Sequence, residues 1–328
     1  MRAKRWRSSS VTDGDLAVVL PTAGDGNIGD QAMLQSLCEN VPYRRIVVLV
    51  ESARSFRKVY VEHRSIVYVE VPGLTGGAGL FKRPQLLKRF MQVLAPAVAF
   101  YVVGADIMDG GYDPRETVCR SSLVNVATIM GKKATITGFS WNGQADPTAT
   151  WALRRASLHS RLIVRDPVSY MRLHSQIPSA ELGSDLVFAV PNRPAVTEYS
   201  EWLAYRGAST STLVVNCSGL LLKNAALLDA FYEVVANMLD GGVRVLILPH
   251  VIRTSDDDLV ACRSLAQRVG ARDNFRLVEE LLLPDEVSHI VSNADAVLTA
   301  RMHLAILAMR NGVPAAVVGT QRKVEGLL

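Results

Sequence analysis

The chain has 328 residues, of which 49% are hydrophobic and 20% are charged, and its net charge is +5. This composition excludes a disordered chain and fits two globular domains of ordinary size. The mild positive charge suits an anionic substrate or an anionic membrane surface. Nucleic acid is not expected as a partner, because no basic stripe interleaved with aromatic residues is found.

The sequence has no apolar segment suited to a signal peptide or a membrane span. Residues 1–7 are basic and are followed by polar residues, and the longest apolar run, 91–105, is short and interrupted by Pro96. Four widely spaced cysteines predict reduced thiols and no zinc site. We therefore expect a cytoplasmic protein without a metal and with at most peripheral membrane contact. A homo-oligomer is left open.

The first half of the chain alternates between predicted strands and helices. A buried strand over residues 15–20 is followed by a glycine-rich loop, 23–30, and by a helix from about residue 31 to 39. Further strands are predicted at residues 45–50, 65–71, 98–103, 134–139 and 161–164. Strands that alternate with helices predict a doubly wound parallel sheet.

The second half repeats this pattern after a proline-containing segment, 184–200, which we interpret as a linker. Strands are predicted at residues 212–216, 244–248, 275–278, 296–299 and 315–318, with helices at 225–239, 255–269, 285–293 and after Arg301. The sequence therefore predicts an α/β protein with two Rossmann-like parallel-sheet domains facing a cleft. We place the boundaries at residues 1–195 and 196–328.

Polar side chains follow several strands of the first half. Asn27, Gly29 and Asp30 lie in the glycine-rich loop, whose glycines permit close approach to a ligand, although Asp30 acting only as a helix N-cap is an alternative. Asp106 follows the strand predicted at residues 98–103. The turn that contains Asp106 suits the binding of a polyol, and an ordinary solvated turn is the alternative. Arg165 follows a third strand. The carboxyl ends of parallel strands meet at one sheet edge, so these residues are candidates for substrate binding.

The second half shows the same feature with more basic residues. Asn216 and His250 end two strands, and Arg301 and His303 stand where a strand passes directly into a helix. Arginine and the free amides of a helix N-terminus together suit a multiply charged anion. Lys323 follows the last predicted strand, within reach of that corner. Each of these residues alone is equally compatible with ordinary packing or solvation.

Taken together, these motifs resemble the polysaccharide pyruvyl transferase family. The resemblance rests on the loop at residues 26–30, the Arg165-Asp166 pair with Ser169, the sequence Ala-Arg-Met-His at 300–303, and Lys323, in this order. It extends from about residue 16 to 323. It implies a fold like that of type B glycosyltransferases, with the acceptor on the first domain and the donor on the second.

The resemblance also implies transfer of a pyruvyl group from phosphoenolpyruvate to a sugar, with formation of a pyruvate ketal. It assigns Arg301, His303 and Arg165 to the donor site, with Lys323 assisting. The chemistry agrees, because arginine binds carboxylate and phosphate bidentately and a histidine can protonate the methylene carbon of the donor. We expect His303 to be that acid. No cofactor is expected beyond the donor substrate.

Two other functions are compatible with the sequence. A glycosyltransferase would bind a nucleotide-sugar at Arg301, but Glu325 is the only nearby carboxylate that could hold a ribose. A catalytically silent sugar-binding protein would not need Arg301, His303, Arg165 and Lys323 together. The sequence leaves the acceptor sugar, its linkage and any lipid attachment open. Because the chain ends five residues after Lys323, we also expect that the second domain is truncated.

Overall fold

The computed structural model describes residues 15–76, 79, 82–205, 211–254 and 257–319. These residues form two parallel β-sheets with helices packed on them, which confirms the predicted fold class. Lys323 and Glu325 lie outside the described residues. Within the described part, no helix is long and apolar enough to cross a lipid bilayer.

The first sheet has seven strands in the order β3-β2-β1-β4-β5-β6-β7. Their bounds are Leu16–Leu20 (β1), Arg45–Val50 (β2), Ser65–Glu70 (β3), Ala99–Ala105 (β4), Lys133–Phe139 (β5), Arg161–Val164 (β6) and Ala180–Leu182 (β7). The helices of this half are Ile28–Asn40 (α1), Arg83–Leu94 (α2), Pro114–Ile129 (α3), Pro147–Ser157 (α4) and Pro167–His174 (α5). Strand β7 was not predicted, because three residues at a sheet edge carry no clear pattern.

The second sheet has five strands in the order β10-β9-β8-β11-β12. Their bounds are Thr212–Asn216 (β8), Arg244–Ile247 (β9), Phe275–Leu277 (β10), Ala296–Thr299 (β11) and Ala315–Val317 (β12). The helices are Glu198–Ala204 (α6), Ala225–Asp240 (α7), Asp258–Val269 (α8), Pro284–Ser292 (α9) and Met302–Arg310 (α10). All pairs of neighbouring strands in both sheets are parallel.

Helix α1 begins three residues earlier than the sequence predicts. The side chain of Asn27 accepts hydrogen bonds from the backbone N–H groups of Gly29 and Asp30, at 2.9 and 3.4 Å. Asn27 is therefore the N-cap, and the alternative that Asp30 caps the helix is wrong. As a consequence, the carboxylate of Asp30 lies within the first turn and is available to the site.

The segment 184–200 is more than a linker. Residues Leu186–Ala189 form a 3₁₀ turn, and the side chain of Val187 is fully buried in a core that also contains residues of α1 and α10. Helices α1, α9 and α10 contact one another, so the two sheets share this core. The division at residue 195 stays a prediction.

Both sheets have a topological switch point where ligands bind in doubly wound folds. In the first sheet it lies between β1 and β4, and in the second between β8 and β11. The residues that follow β1, β4 and β11 line a common cavity. The fold thus brings the two candidate regions predicted from the sequence into one cleft.

Candidate functional site

The glycine-rich loop contacts the segment that follows β9 of the second sheet. Asn27 forms a single antiparallel bridge with Val251, the N–H of Ile28 donates to the carbonyl of His250 at 3.1 Å, and the N–H of Ile252 donates to the carbonyl of Gly26 at 2.8 Å. Gly26 has a φ of +75°, and a Cβ there would overlap the carbonyl of Ile252. Glycine is therefore required at residue 26 by both its backbone conformation and the close contact.

A cavity of about 450 Å³ lies between the two sheets at this contact. Seven of the residues predicted to form the site line it: Asn27, Asp30, Asp106, Arg165, His250, Arg301 and His303. The expectation that residues of both halves line one cleft is confirmed. Lys223 and Arg253, which the sequence analysis did not single out, add positive charge to the wall formed by the second half.

Arg301 is held by a carboxylate that the sequence did not identify. Its Nη2 lies 2.6 Å from Oδ1 of Asp258, and its Nε lies 3.2 Å from each carboxylate oxygen. The Asp258 side chain is fully buried, and that of Arg301 is 13% exposed. Burial opposes ionisation of Asp258, but the charge and hydrogen bonds of Arg301 outweigh it and lower the pKa of the carboxyl. The guanidinium is thus fixed at the cavity wall.

Asp258 is the centre of a larger hydrogen-bond network. It accepts the backbone N–H groups of Gly219, His250 and Val251 at 2.9–3.1 Å, and the side-chain amide of Asn216 at 2.9 Å. Asn216 is fully buried and does not line the cavity. Its predicted role in substrate binding is therefore corrected. The side-chain amide lies behind the cavity wall, where it donates hydrogen bonds to the carbonyl of Leu248 and to Asp258.

A second buried carboxylate connects Arg165 with His303. Nη1 of Arg165 lies 3.1 Å from Oδ2 of Asp185, and Nε2 of His303 lies 3.5 Å from the same oxygen. Burial alone would raise the pKa of Asp185, but the nearby His303 and Arg165 lower it to about 2. Asp185 is therefore ionised at neutral pH and places a negative charge between Arg165 and His303.

Gly29 provides the space that His303 occupies. A Cβ on residue 29 would overlap Nδ1 of the imidazole. Gly29 does not itself line the cavity. Its predicted role in substrate binding is replaced by a geometric one, in which it lets His303 pack against the first turn of α1.

We expect Gly29→Ala to impair turnover more than stability. The overlap with the imidazole should cost about 1–3 kcal/mol, offset in part by the higher helix propensity of alanine, so the melting temperature should fall only modestly. Turnover should fall by about tenfold to 100-fold, because the imidazole must move and a shift of about 1 Å can have that effect. Gly143→Ala is the matched control, since a Cβ there meets only ordinary contacts. Unchanged turnover of Gly29→Ala would show that the position of His303 is unimportant.

The wall formed by the first half is rich in carboxylates. Asp30, Asp106 and Glu116 line it, and the hydroxyl of Tyr112 donates to Asp106 at 3.2 Å. Burial raises the pKa of Asp30 to about 6, with a further contribution from Asp106, although the charge of His303 opposes the shift. Asp30 is therefore close to its titration point near neutral pH, as suits a group that exchanges protons.

The raised pKa of Asp30 predicts a pH dependence of stability. The folded state binds the proton more tightly than the unfolded state, whose carboxyl has a pKa of about 3.8, so the free energy of unfolding should fall as the pH rises from about 4 to 6. Asp30→Asn should remove this loss and become more stable than the parent by about 1–3 kcal/mol at pH 7. Urea denaturation at pH 4, 5, 6 and 7 measures the difference. A difference that is constant with pH would contradict the assignment.

His250 lies fully buried at the cavity, and neither ring nitrogen has a hydrogen-bond partner among the described residues. Burial lowers its pKa to about 3, and the charges of His303 and Arg301 contribute. The imidazole is therefore neutral at physiological pH and can both donate and accept a hydrogen bond. Its role in substrate binding stays a prediction, and its low pKa makes it a poor alternative to His303 as a proton donor.

Comparison with known proteins adds the family. The model of the polysaccharide pyruvyl transferase family matches residues 27–322, which is nearly the whole chain. The chain belongs to the polysaccharide pyruvyl transferase family. Membership indicates a transferase of polysaccharide biosynthesis that acts on a sugar acceptor. No curated protein sequence matches the chain.

Solved structures similar to this pyruvyl transferase family member are epimerases and glycosyltransferases. A putative UDP-N-acetylglucosamine 2-epimerase from Listeria monocytogenes has a TM-score of 0.56 at 10% identity, with 93% of this chain and 79% of that chain covered. S. aureus MnaA in complex with UDP has a TM-score of 0.57 at 11% identity, with 96% and 82% covered. WaaG, a glycosyltransferase of lipopolysaccharide biosynthesis, has a TM-score of 0.51 at 11% identity, with 94% and 83% covered. At these identities the likeness concerns the fold alone, which is that of type B glycosyltransferases.

The two carboxylates that organise the site were missed because no local pattern distinguishes them. Asp258 is the last of three consecutive aspartates, and Asp185 stands in the segment that we interpreted as a linker. Their partners are 43 and 20 residues away along the chain. Only the folded pyruvyl transferase brings each carboxylate to its arginine.

Proposed function

We propose that this family member transfers a pyruvyl group from phosphoenolpyruvate to a sugar of a cell-surface or extracellular polysaccharide, or of its lipid-linked precursor, and forms a pyruvate ketal with release of phosphate. The observation that carries the proposal is the composition of the cavity. One wall has a fixed arginine next to a histidine, and the opposite wall has a row of carboxylates. An anionic donor and a neutral polyol acceptor require these two environments.

The donor would bind at the wall of the second half. Phosphoenolpyruvate carries a carboxylate and a phosphate, and Arg301 is oriented toward the cavity by Asp258 while Lys223 and Arg253 lie on the same wall. The N-terminus of α10 begins directly after Arg301, and its amides favour a negative charge. Arg165 would complete the site from the first half. Lys323 keeps its proposed assisting role.

The reaction would begin with transfer of a proton from His303 to the methylene carbon of the donor, which leaves an oxocarbenium-like centre. A sugar hydroxyl would attack the carbon that bears the phosphate oxygen, and Asp30, which lines the cavity, would accept its proton. The bond between this carbon and the phosphate oxygen then breaks, and a second hydroxyl of the same sugar closes the ketal ring. The proton of the second hydroxyl leaves with the phosphate, and the proton on Asp30 returns to His303 directly or through solvent. No cofactor takes part in this scheme.

The decisive experiment incubates the protein with phosphoenolpyruvate and a panel of glycosides. We expect release of inorganic phosphate that depends on the glycoside, together with a new ketal methyl signal in the NMR spectrum. Release of a nucleoside diphosphate from a nucleotide-sugar instead would identify a glycosyltransferase. Binding of glycosides without turnover of either donor would identify a sugar-binding protein.

A further inference from the structure

The surface of α2 carries an apolar patch with no counterpart in the proposed chemistry. Leu87 and Met91, one helical turn apart, are 37% and 40% exposed. They border two adjoining recesses between α2 and α3, with volumes of about 880 and 490 Å³, whose walls also include Leu74, Val118, Leu123 and Met130. We call Leu87, Met91 and these recesses the α2 face. Exposed apolar side chains beside open apolar recesses form a surface on which a partner can pack.

The charges around the α2 face have one dominant sign. Arg83 and Lys88 of α2 line the two recesses, and residues 71–105 contain no aspartate or glutamate. Arg115 of α3 lines the larger recess as well, where Asp113 is the one acidic residue among the described lining. An amphipathic helix with exposed apolar side chains flanked by lysine and arginine is typical of proteins that lie on an anionic bilayer.

The α2 face is also connected with the candidate site. Its larger recess shares Leu74 and Asp113 with a polar cavity of about 340 Å³, and that cavity shares Thr22, Ala23 and Glu116 with the candidate site. The three cavities therefore lie side by side, from the apolar patch to the carboxylate-lined wall. Their lining is mainly apolar at the α2 face and polar at the candidate site, an order that suits an amphiphile held at a membrane.

We propose that the α2 face docks onto a lipid bilayer that contains anionic lipids, with Leu87 and Met91 inserted among the acyl chains and the surrounding lysines and arginines at the phosphates. Docking in this orientation turns the row of cavities toward the membrane and would present a lipid-linked acceptor to the site. The docking itself does not depend on the proposed activity. Only this consequence for the acceptor rests on the proposed function.

The chain offers a matched control on α7. Val234 and Met238 are also one turn apart and are 44% and 43% exposed, but α7 carries three acidic residues and no lysine or arginine. The two pairs therefore match in apolar exposure and differ in the charge around them. The α2 variant is Leu87→Glu/Met91→Glu, and the α7 variant is Val234→Glu/Met238→Glu. Comparison of the two separates docking at the α2 face from a general effect of two added negative charges.

The test is co-sedimentation of the full chain with vesicles of phosphatidylglycerol and phosphatidylethanolamine, and with vesicles of phosphatidylcholine alone. We expect the parent and the α7 variant to bind the anionic vesicles, with affinity that falls as salt rises, and the α2 variant to lose at least about tenfold of its partitioning. All three proteins keep the same basic residues 1–7, so a difference reports on the α2 face. Circular dichroism checks that each variant is folded.

The proposal is overturned if the parent binds no anionic vesicles, or if the α2 variant binds as well as the parent. Equal loss in both variants would also overturn it, because charge alone would then explain the effect. If the parent binds no vesicles and is a dimer in solution, whereas the α2 variant is a monomer, the α2 face is an interface between two copies of the chain. Turnover is not measured in this experiment, so its outcome is independent of whether the proposed reaction occurs.

Discussion

Asp258→Asn is expected to destabilise the fold by about 3–5 kcal/mol and to abolish donor binding. The carboxylate is fully buried and forms a close ion pair with Arg301, so its removal takes a buried counter-charge away from a mostly buried guanidinium. The amide of asparagine would also direct N–H groups at the backbone donors of Gly219, His250 or Val251. Urea denaturation and calorimetric titration with phosphoenolpyruvate measure the two effects.

Asp229→Asn is the matched control for this substitution. Asp229 pairs with Arg268 on the surface, where both side chains are about half exposed, so its loss should change the free energy of unfolding by less than about 1 kcal/mol. If Asp258→Asn does not fold, the double variant Asp258→Asn/Arg301→Met removes both charges. It should recover part of the stability but no donor binding. A folded Asp258→Asn protein with unchanged donor affinity would contradict the role given to the pair.

His303→Gln is expected to lower turnover by about 10²–10⁴-fold while donor binding is largely kept. Glutamine can replace a hydrogen bond of the imidazole, but it cannot deliver a proton to the methylene carbon. The imidazole lies at the start of α10, next to Arg301 and with Nε2 3.5 Å from Asp185, so it stands beside the place where we propose that the donor binds.

Steady-state kinetics at saturating donor and calorimetry of donor binding distinguish the roles of His303. His63→Gln, at an imidazole that is 88% exposed, serves as the control and should behave like the parent. If His303→Gln lost donor affinity and kept its turnover at saturation, His303 would be a binding residue. The proton donor would then be sought at Lys323, because the low pKa of His250 makes it unsuitable.

Most strands and their order along the chain could be predicted from the sequence. Strands covered on both faces, such as β1 and β8, contain apolar runs, and a polar residue at or shortly after the end of each run, Thr22 or Asn216, marks its carboxyl end. From the alternation of strands and helices it also follows that these ends lie at one edge of each sheet. The sequence thus determined the fold class and the positions of Arg301, His303, Arg165 and Asp30 near a common cleft.

The tertiary structure alone decided which groups are paired and which face the cavity. Asp258 and Asp185 reach Arg301 and Arg165 from 43 and 20 residues away, and pairing over such distances depends on how the chain crosses between elements. Asn216 ends a strand as predicted, yet its amide turns into the interior toward Asp258. Strand periodicity fixes the end of a strand but not the contacts of its last side chain. Those contacts depend on three-dimensional packing, which no local pattern encodes.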